Sequence, residues 1–315
     1  MISSTYNISS TTQAVLEVLA YYHIFHHPLK KEEIYSRVNT DRMLTNSIDE
    51  TLYGLVSMGA IEENSGYYFL KNSSSIIQKR EEGEIRAKSL LKVAKRMSKI
   101  IYWFPFVRGV FVSGSLSKGS VPVDADIDYF VITKQNKLWI TRTMLVMFKR
   151  LFLLGSKKYF CVNYFVDESN LEIPDKNIFT ATEVSTVIPL QGRDYCEKFM
   201  TTNKWYKDFY PHMPPPKSKA TNPDFIKKVS QTVIELLFFH RLAERLDKSF
   251  MKKTYSRWTN MYGSRYSDEE FELAFRSKRG TSKNHDKNYQ KRVLETVEKN
   301  ITFALSQIKT KIIDG

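Results

Sequence analysis

Two cysteines in 315 residues, Cys161 and Cys196, are too few for a disulfide framework, and no histidine–cysteine set has zinc-ligand spacing. A reducing cytoplasm is the expected compartment, with Cys161, set in an apolar run, a buried free thiol. A secretory leader is not expected either, since Met1-Ile-Ser-Ser-Thr-Tyr6 has no basic region and no apolar run behind it. Nor is there a membrane span, which needs about 20 consecutive apolar residues. The nearest approach, Leu138 to Leu154, is interrupted by Arg142, Lys149 and Arg150 and reads as an amphipathic helix packed on a sheet. The chain has no internal repeat at the roughly 20–50-residue period of solenoids. Gly-x-Ser-x-Gly and Walker A motifs are missing too: Gly114-Ser-Leu-Ser-Lys-Gly119 has a lysine at the wrong spacing.

What the chain has is enough apolar residue, 42% with 13% aromatic, to build cores rather than remain disordered, and enough length for two or three of them. Acid is outnumbered, 34 groups against 48 basic ones, for a net charge of +14. The excess is uneven. Residues 11–72 carry 5 basic and 8 acidic groups, 73–110 carry 9 and 3, 111–200 carry 11 and 10, and 201–315 carry 23 and 13. Basic walls flanking a balanced central segment suit polyanions such as triphosphates or RNA.

Apolar periodicity divides the chain into 1–75, 76–200 and 201–315. In the first part, helices are predicted over Thr11–Phe25, Lys30–Val38 and Ile48–Met58, followed by two short strands around Asn64-Ser65-Gly66. That order resembles a winged helix-turn-helix. Its third helix carries Asp49 and Glu50 and its wing Glu62 and Glu63, a poor surface for nucleic acid, so a protein-docking role is expected and DNA reading is not. A basic helix over Gln78–Met97 stops before Pro105. Strands are predicted over Arg108–Val112, Ile127–Thr133 and Lys158–Val166, with a helix over Lys137–Leu154 between the last two. A short helix spans Phe179–Leu190. Beyond the Pro-rich linker at 210–216, one long helix is expected from Asn222 to about Arg257.

The chemistry concentrates between Val112 and Thr133. Asp126 and Asp128 stand two apart at the mouth of an apolar stretch, so on a strand both carboxylates leave one face. Two fixed carboxylates suit Mg²⁺, which completes its shell with substrate phosphates. About ten residues upstream, the Gly114-Ser115 turn opens a short helix with free backbone N–H groups, a setting that favours phosphate oxygens.

At these residues the chain resembles the nucleotidyltransferases of the DNA polymerase β superfamily, whose signature is hydrophobic-Gly-Ser, a spacer, then Asp-hydrophobic-Asp. The resemblance implies an α+β fold: a compact mixed sheet with flanking helices, here between an N-terminal winged helix and a C-terminal helical region. It also implies transfer of a nucleoside monophosphate from an NTP, ATP being the expected donor, to an acceptor the sequence does not specify. Asp126 and Asp128 would hold Mg²⁺ (or Mn²⁺), Gly114 and Ser115 would cradle phosphates, and Lys118 would add charge. A third superfamily carboxylate, on a later strand facing the pair, falls at Asn163, which adds no charge and cannot act as a base. Strict alternation puts Cys161, Asn163 and Phe165 on one face of that strand; Asp167, Glu168 and Asp124 are the other acids in range. The alternative to turnover is a nucleotide-binding regulatory module that docks a protein partner through the winged helix. Glu183 is expected as an exposed helix acid and His285 as a loop histidine, while Lys278, Arg279 and Lys283 are candidates to reach a triphosphate or an RNA backbone.

Overall fold

A computed structural model describes residues 9–39, 45–71, 75–218, 220–237, 240–284 and 289–313, so His285 lies outside the described residues. The first part begins with α1 (Ser10–His23), whose N-terminus is closed by Ser9 Oγ accepting from the Thr12 N–H at 3.1 Å. After β1 (Leu29–Lys30) comes α2 (Lys31–Arg37), where Glu33 reaches back to the Lys30 N–H at 2.8 Å. Next follow α3 (Thr45–Ser57), β2 (Ile61–Asn64) and β3 (Tyr67–Leu70). Ser65 and Gly66 both adopt positive φ, the geometry of a tight hairpin turn. The dipeptide β1 was not anticipated. It pairs antiparallel with β3, giving the order β1-β3-β2. Two residues are too short a run to carry a period, so only the tertiary partner defines this strand.

The long α4 (Ser75–Trp103) ends two residues before Pro105, as the sequence predicts. It leads into β4 (Val107–Ser113), α5 (Gly114–Ser117), β5 (Asp128–Thr133), α6 (Leu138–Phe152), β6 (Cys161–Asp167), α7 (Ile178–Thr186), β7 (Ile188–Gln191) and α8 (Arg193–Thr202). The expected long helix beyond the Pro-rich linker is instead α9 (Phe225–Leu237) and α10 (His240–Tyr262). The chain closes with α11 (Asp268–Ala274), β8 (Ser277–Lys278), β9 (Thr281–Lys283) and α12 (Tyr289–Ile313).

Six strands form one mixed sheet in the order β7-β4-β5-β6-β9-β8, in which only β5 and β6 run parallel. Its central strands are covered on both sides, which is why they read as unbroken apolar runs. Val110, Val112, Tyr129, Val131, Val162 and Phe165 face a core shared with α4, α6 and α10. Phe111, Phe130, Ile132 and Val166 face α7 and α8, with the Phe111, Phe130 and Phe199 rings in mutual contact. Like the β8–β9 hairpin, β7 is not among the expected strands: it takes the last residues of the segment read as helix, Ile188 to Leu190, and Pro189 is tolerated because β7 lies at the sheet edge.

The C-terminal segment contributes to two places. Its β8–β9 hairpin extends the sheet, whereas α12 lays Val293, Val297, Ile301, Ala304, Leu305 and Ile308 into the core around α1. Phe179 of α7 joins that same core. The molecule is thus α+β, and among the described residues no helix is long and apolar enough to cross a membrane.

Candidate functional site

At the end of β4 the chain turns at Gly114, with φ +68°. A Cβ at this position would overlap Asp128 Oδ2 and come within 3.2 Å of Asp128 Cγ. Glycine is therefore required twice, for the left-handed backbone and for the close approach to the carboxylate that opens β5. Ser113 and Asp128 are partners in the antiparallel ladder, so the β4–β5 register sets this juxtaposition. The Ser117 hydroxyl donates to Gly114 O at 2.8 Å, and the Lys118 and Ser120 N–H groups both reach Ser115 O at 3.2 Å. Among the described residues the Ser115 hydroxyl makes no hydrogen bond.

Asp126 and Asp128 flank Ile127, which is fully buried. The Ile127 N–H donates to Lys158 O at 2.9 Å, and its carbonyl accepts from the Cys161 N–H at 3.1 Å. This pinning keeps the Asp-Ile-Asp segment extended, although β5 proper starts at Asp128, one residue later than predicted. Both carboxylates are half-buried, whereas Asp124 is exposed. Burial pushes the Asp128 carboxyl up to about 7, and the negative charges of Glu183 and Asp126 add to the shift.

Asn163 does face the pair: its Nδ2 donates to Asp128 Oδ1 at 2.9 Å, and its Oδ1 accepts from the Cys161 thiol at 3.2 Å. The route differs from the alternation expected along this strand. Tyr129 pairs with Val162 but Phe130 pairs with Tyr164, so Asn163 is the extra residue of a bulge. Val162 and Phe165, three apart, consequently share the face toward α4 and α6, while Tyr164 and Val166 share the other. A bulge beside a site re-aims one side chain while the strand continues. Asp167 is not the missing acid. It pairs with Thr133 at the opposite end of β5, where it accepts from Ser169, Asn170 and the Asn136 N–H. Glu168 lies at that end too, accepting from the Gln135 N–H.

The third carboxylate beside Asp128 is Glu183, contrary to its expected place on an exposed helix face. Its Oε1 is 2.6 Å from Lys118 Nζ, and its Oε2 accepts from the Gly114 N–H at 3.4 Å. Lys118, nearly buried, also donates to Gly114 O at 3.1 Å. The sequence did hold a signal. Ile178–Thr186 is apolar or small around its whole circumference except for Glu183, and a helix apolar all round is buried, so its single acid needs a partner.

The basic cluster near 280 is spent elsewhere. Lys283 is buried, donating to Gln290 Oε1 at 3.0 Å, and burial pushes its ammonium down to about 8. Arg279 and Lys278 lie 3.8 and 3.9 Å from Glu244 and Glu272.

Gly114, Ser115, Lys118, Asp126, Asp128, Asn163 and Glu183 therefore meet at one end of the parallel β5–β6 pair. Comparisons with family models, with characterised proteins and with solved structures give no match to this chain. Among the described residues no group of three or more His, Cys, Asp or Glu side chains is arranged to hold a metal ion by itself. The cluster does combine adjacent carboxylates, an ammonium and a backbone turn without a side chain, a set able to handle a phosphorylated ligand with an accompanying cation.

Proposed function

We propose that this chain is a polymerase β-like nucleotidyltransferase with an N-terminal winged helix, moving a nucleoside monophosphate from an NTP, with ATP the expected donor, to an acceptor hydroxyl or phosphate. The observation that carries this reading is the Gly114–Asp128 contact: a side-chain-free turn pressed onto a carboxylate, with Asp126 beside it. Two carboxylates and no further protein ligand fit Mg²⁺ or Mn²⁺ whose shell is completed by substrate phosphates. Asp126 and Asp128 would hold the ion, which when bound neutralises charge on the phosphates.

The remaining work falls to the chain. The Gly114 N–H and Ser115 hydroxyl donate to phosphate oxygens, and Lys118 adds positive charge there. Asn163 fixes the rotamer of Asp128 through its amide hydrogen bond. In the transfer, a bond forms from the acceptor oxygen to the α-phosphorus, the bond to the bridging oxygen breaks, and pyrophosphate leaves. Asn163 cannot take the acceptor proton; Glu183 is the carboxylate available for it once Lys118 turns toward phosphate.

One observation favours the second reading, a regulatory module that binds nucleotide without turnover. Glu183 engages both Lys118 and the Gly114 N–H, two of the groups assigned to phosphate. In either reading the winged helix suits a protein partner. On α3 Asp49 is drawn to Lys31 and Tyr35, and β2 carries Glu62 and Glu63, leaving little for DNA, while RNA remains a candidate acceptor. Both thiols are free and buried, in keeping with a reducing cytoplasm.

Incubation with each labelled NTP and Mg²⁺ or Mn²⁺ tests the reading, with pyrophosphate release and a labelled product expected. Asp126→Asn combined with Asp128→Asn should abolish metal-dependent NTP binding in calorimetry; unchanged affinity in that double variant rules the site out.

A further inference from the structure

The segment that came nearest to a membrane span in the sequence ends in an exposed apolar turn. The α6 helix stops at Phe152, and the chain folds into a tight turn before β6. The Gly155 N–H donates to Lys149 O at 3.0 Å and the Ser156 N–H to Leu153 O at 2.8 Å. Leu154 and Gly155 both take positive φ, +49° and +75°. A leucine held in the left-handed region points outward and is 95% exposed; Phe152 and Leu151 beside it are 70% and 68% exposed. From below, the turn is anchored by fully buried Phe160 and by Phe148, whose ring meets those of Phe160 and Phe104. The tip is therefore convex, apolar and supported.

Cations surround it. Lys149 and Arg150 precede the tip, Lys157 and Lys158 follow it, and the sequence holds seven basic and no acidic residues between Asp128 and Asp167. None of the four has a carboxylate partner among the described residues. Burial, reinforced by the like charges of Lys157, Arg142 and Arg150, pushes the Lys149 ammonium below its usual range.

We propose that the α6–β6 turn docks this protein on an anionic phospholipid surface, with Leu151, Phe152 and Leu154 entering the headgroup–acyl boundary and Arg150, Lys157 and Lys158 meeting lipid phosphates. Apolar side chains ringed by cations are the composition that binds such an interface without spanning it. A protein groove would need matching acidic walls around a concave apolar floor. A second copy fits worse, because a two-fold contact through the tip sets the same four cations against one another. Through the Ile127 N–H to Lys158 O hydrogen bond, the basic end of the turn is joined directly to the Asp126–Asp128 segment. Such docking requires no nucleotide chemistry.

The full chain is sedimented with vesicles of phosphatidylcholine alone or mixed with phosphatidylserine. Binding is expected to the anionic vesicles only, weakening with salt. Phe152→Asp with Leu154→Asp should lower the partition coefficient at least about tenfold, and Lys157→Glu with Lys158→Glu by about tenfold or more. These side chains are exposed, so unfolding midpoints should stay near the parent value. As a check independent of those charges, Leu154→Cys carries an environment-sensitive fluorophore, Cys161 and Cys196 being buried; its emission should shift to the blue with anionic vesicles. Absence of vesicle binding, equal binding by the tip variants, or an unshifted probe on bound protein overturns the proposal. So does a concentration-dependent dimer abolished by the tip substitutions when no vesicle binding is seen.

Discussion

Gly114→Ala tests the geometry of the site without any assumption about ligand. The substitution imposes two separable costs. Holding an L-residue at φ +68° costs about 1–2 kcal/mol. Forcing a Cβ onto Asp128 Oδ2, and to 3.2 Å from its Cγ, adds an overpacking cost of about 1–3 kcal/mol. The total is about 3 kcal/mol, or a midpoint lowered by about 4–5 °C for a chain of 315 residues. In an Asp128→Ala background the overlapping oxygen and Cγ are gone, so only the backbone cost should remain. Urea denaturation of the four proteins in this cycle should thus give a coupling of about 1–3 kcal/mol, the overpacking cost, between positions 114 and 128. Equal cost in both backgrounds refutes the contact. A cost below about 0.5 kcal/mol in both refutes the left-handed turn as well.

Three further outcomes follow from the same geometry. The Asp128 carboxyl, pushed up to about 7, keeps its proton in the folded chain after the unfolded chain has lost it; stability therefore falls as pH rises from about 4 to about 7, and Asp128→Asn should become the more stable protein above that window, by about 2 kcal/mol after allowance for partial exposure. A parent-minus-variant stability difference that stays flat from pH 5 to pH 8 (a range set about the usual Asp value of ~3.9 and the folded one) argues against that burial. Buried Asp247 accepts from the Trp139 and Ile140 N–H groups at 2.7 and 3.0 Å, capping α6 from α10, so Asp247→Ala should cost about 2–3 kcal/mol in denaturant unfolding, and a loss under ~0.5 kcal/mol contradicts the cap. Asn163→Asp replaces the amide donor to Asp128 with a like charge once Asp128 is ionised, so above about pH 7 the ligand-free protein should lose about 2 kcal/mol and regain stability with Mg²⁺ or Mn²⁺ in a thermal-shift measurement; no response to either ion counts against a metal at this position.

Of the candidate site, the sequence carried the part that is local. Gly114-Ser115 and Asp126-Ile127-Asp128 each lie within one turn or one strand end, where spacing alone decides which side chains share a face. Asn163 was legible as a neighbour of the pair but not in its mechanism, because a bulge is a property of how β6 pairs with β5 and not of β6 by itself. Glu183 was misjudged for a related reason: helical spacing gives a residue's angle on its own helix, while the direction of that angle depends on where α7 is docked.

The same division runs through the whole chain. Apolar periodicity determined α1, α4, α6 and the three central strands, since each repeats a burial pattern long enough to be read against period 3.6 or 2. The short strands β1, β7, β8 and β9 contain too few positions to show a period and form where a neighbouring strand leaves an edge open, whereas β2 and β3, no longer than four residues, are legible from the turn residues between them. The charge excess was visible from composition, but its use was not: Lys118 and Lys283 turn inward to partners, whereas Arg150, Lys157 and Lys158 stay in solvent around an exposed apolar turn. Sequence determined which groups this protein owns. Tertiary packing decided which of them are desolvated, paired and brought to one place, because those properties belong to contacts between segments far apart along the chain.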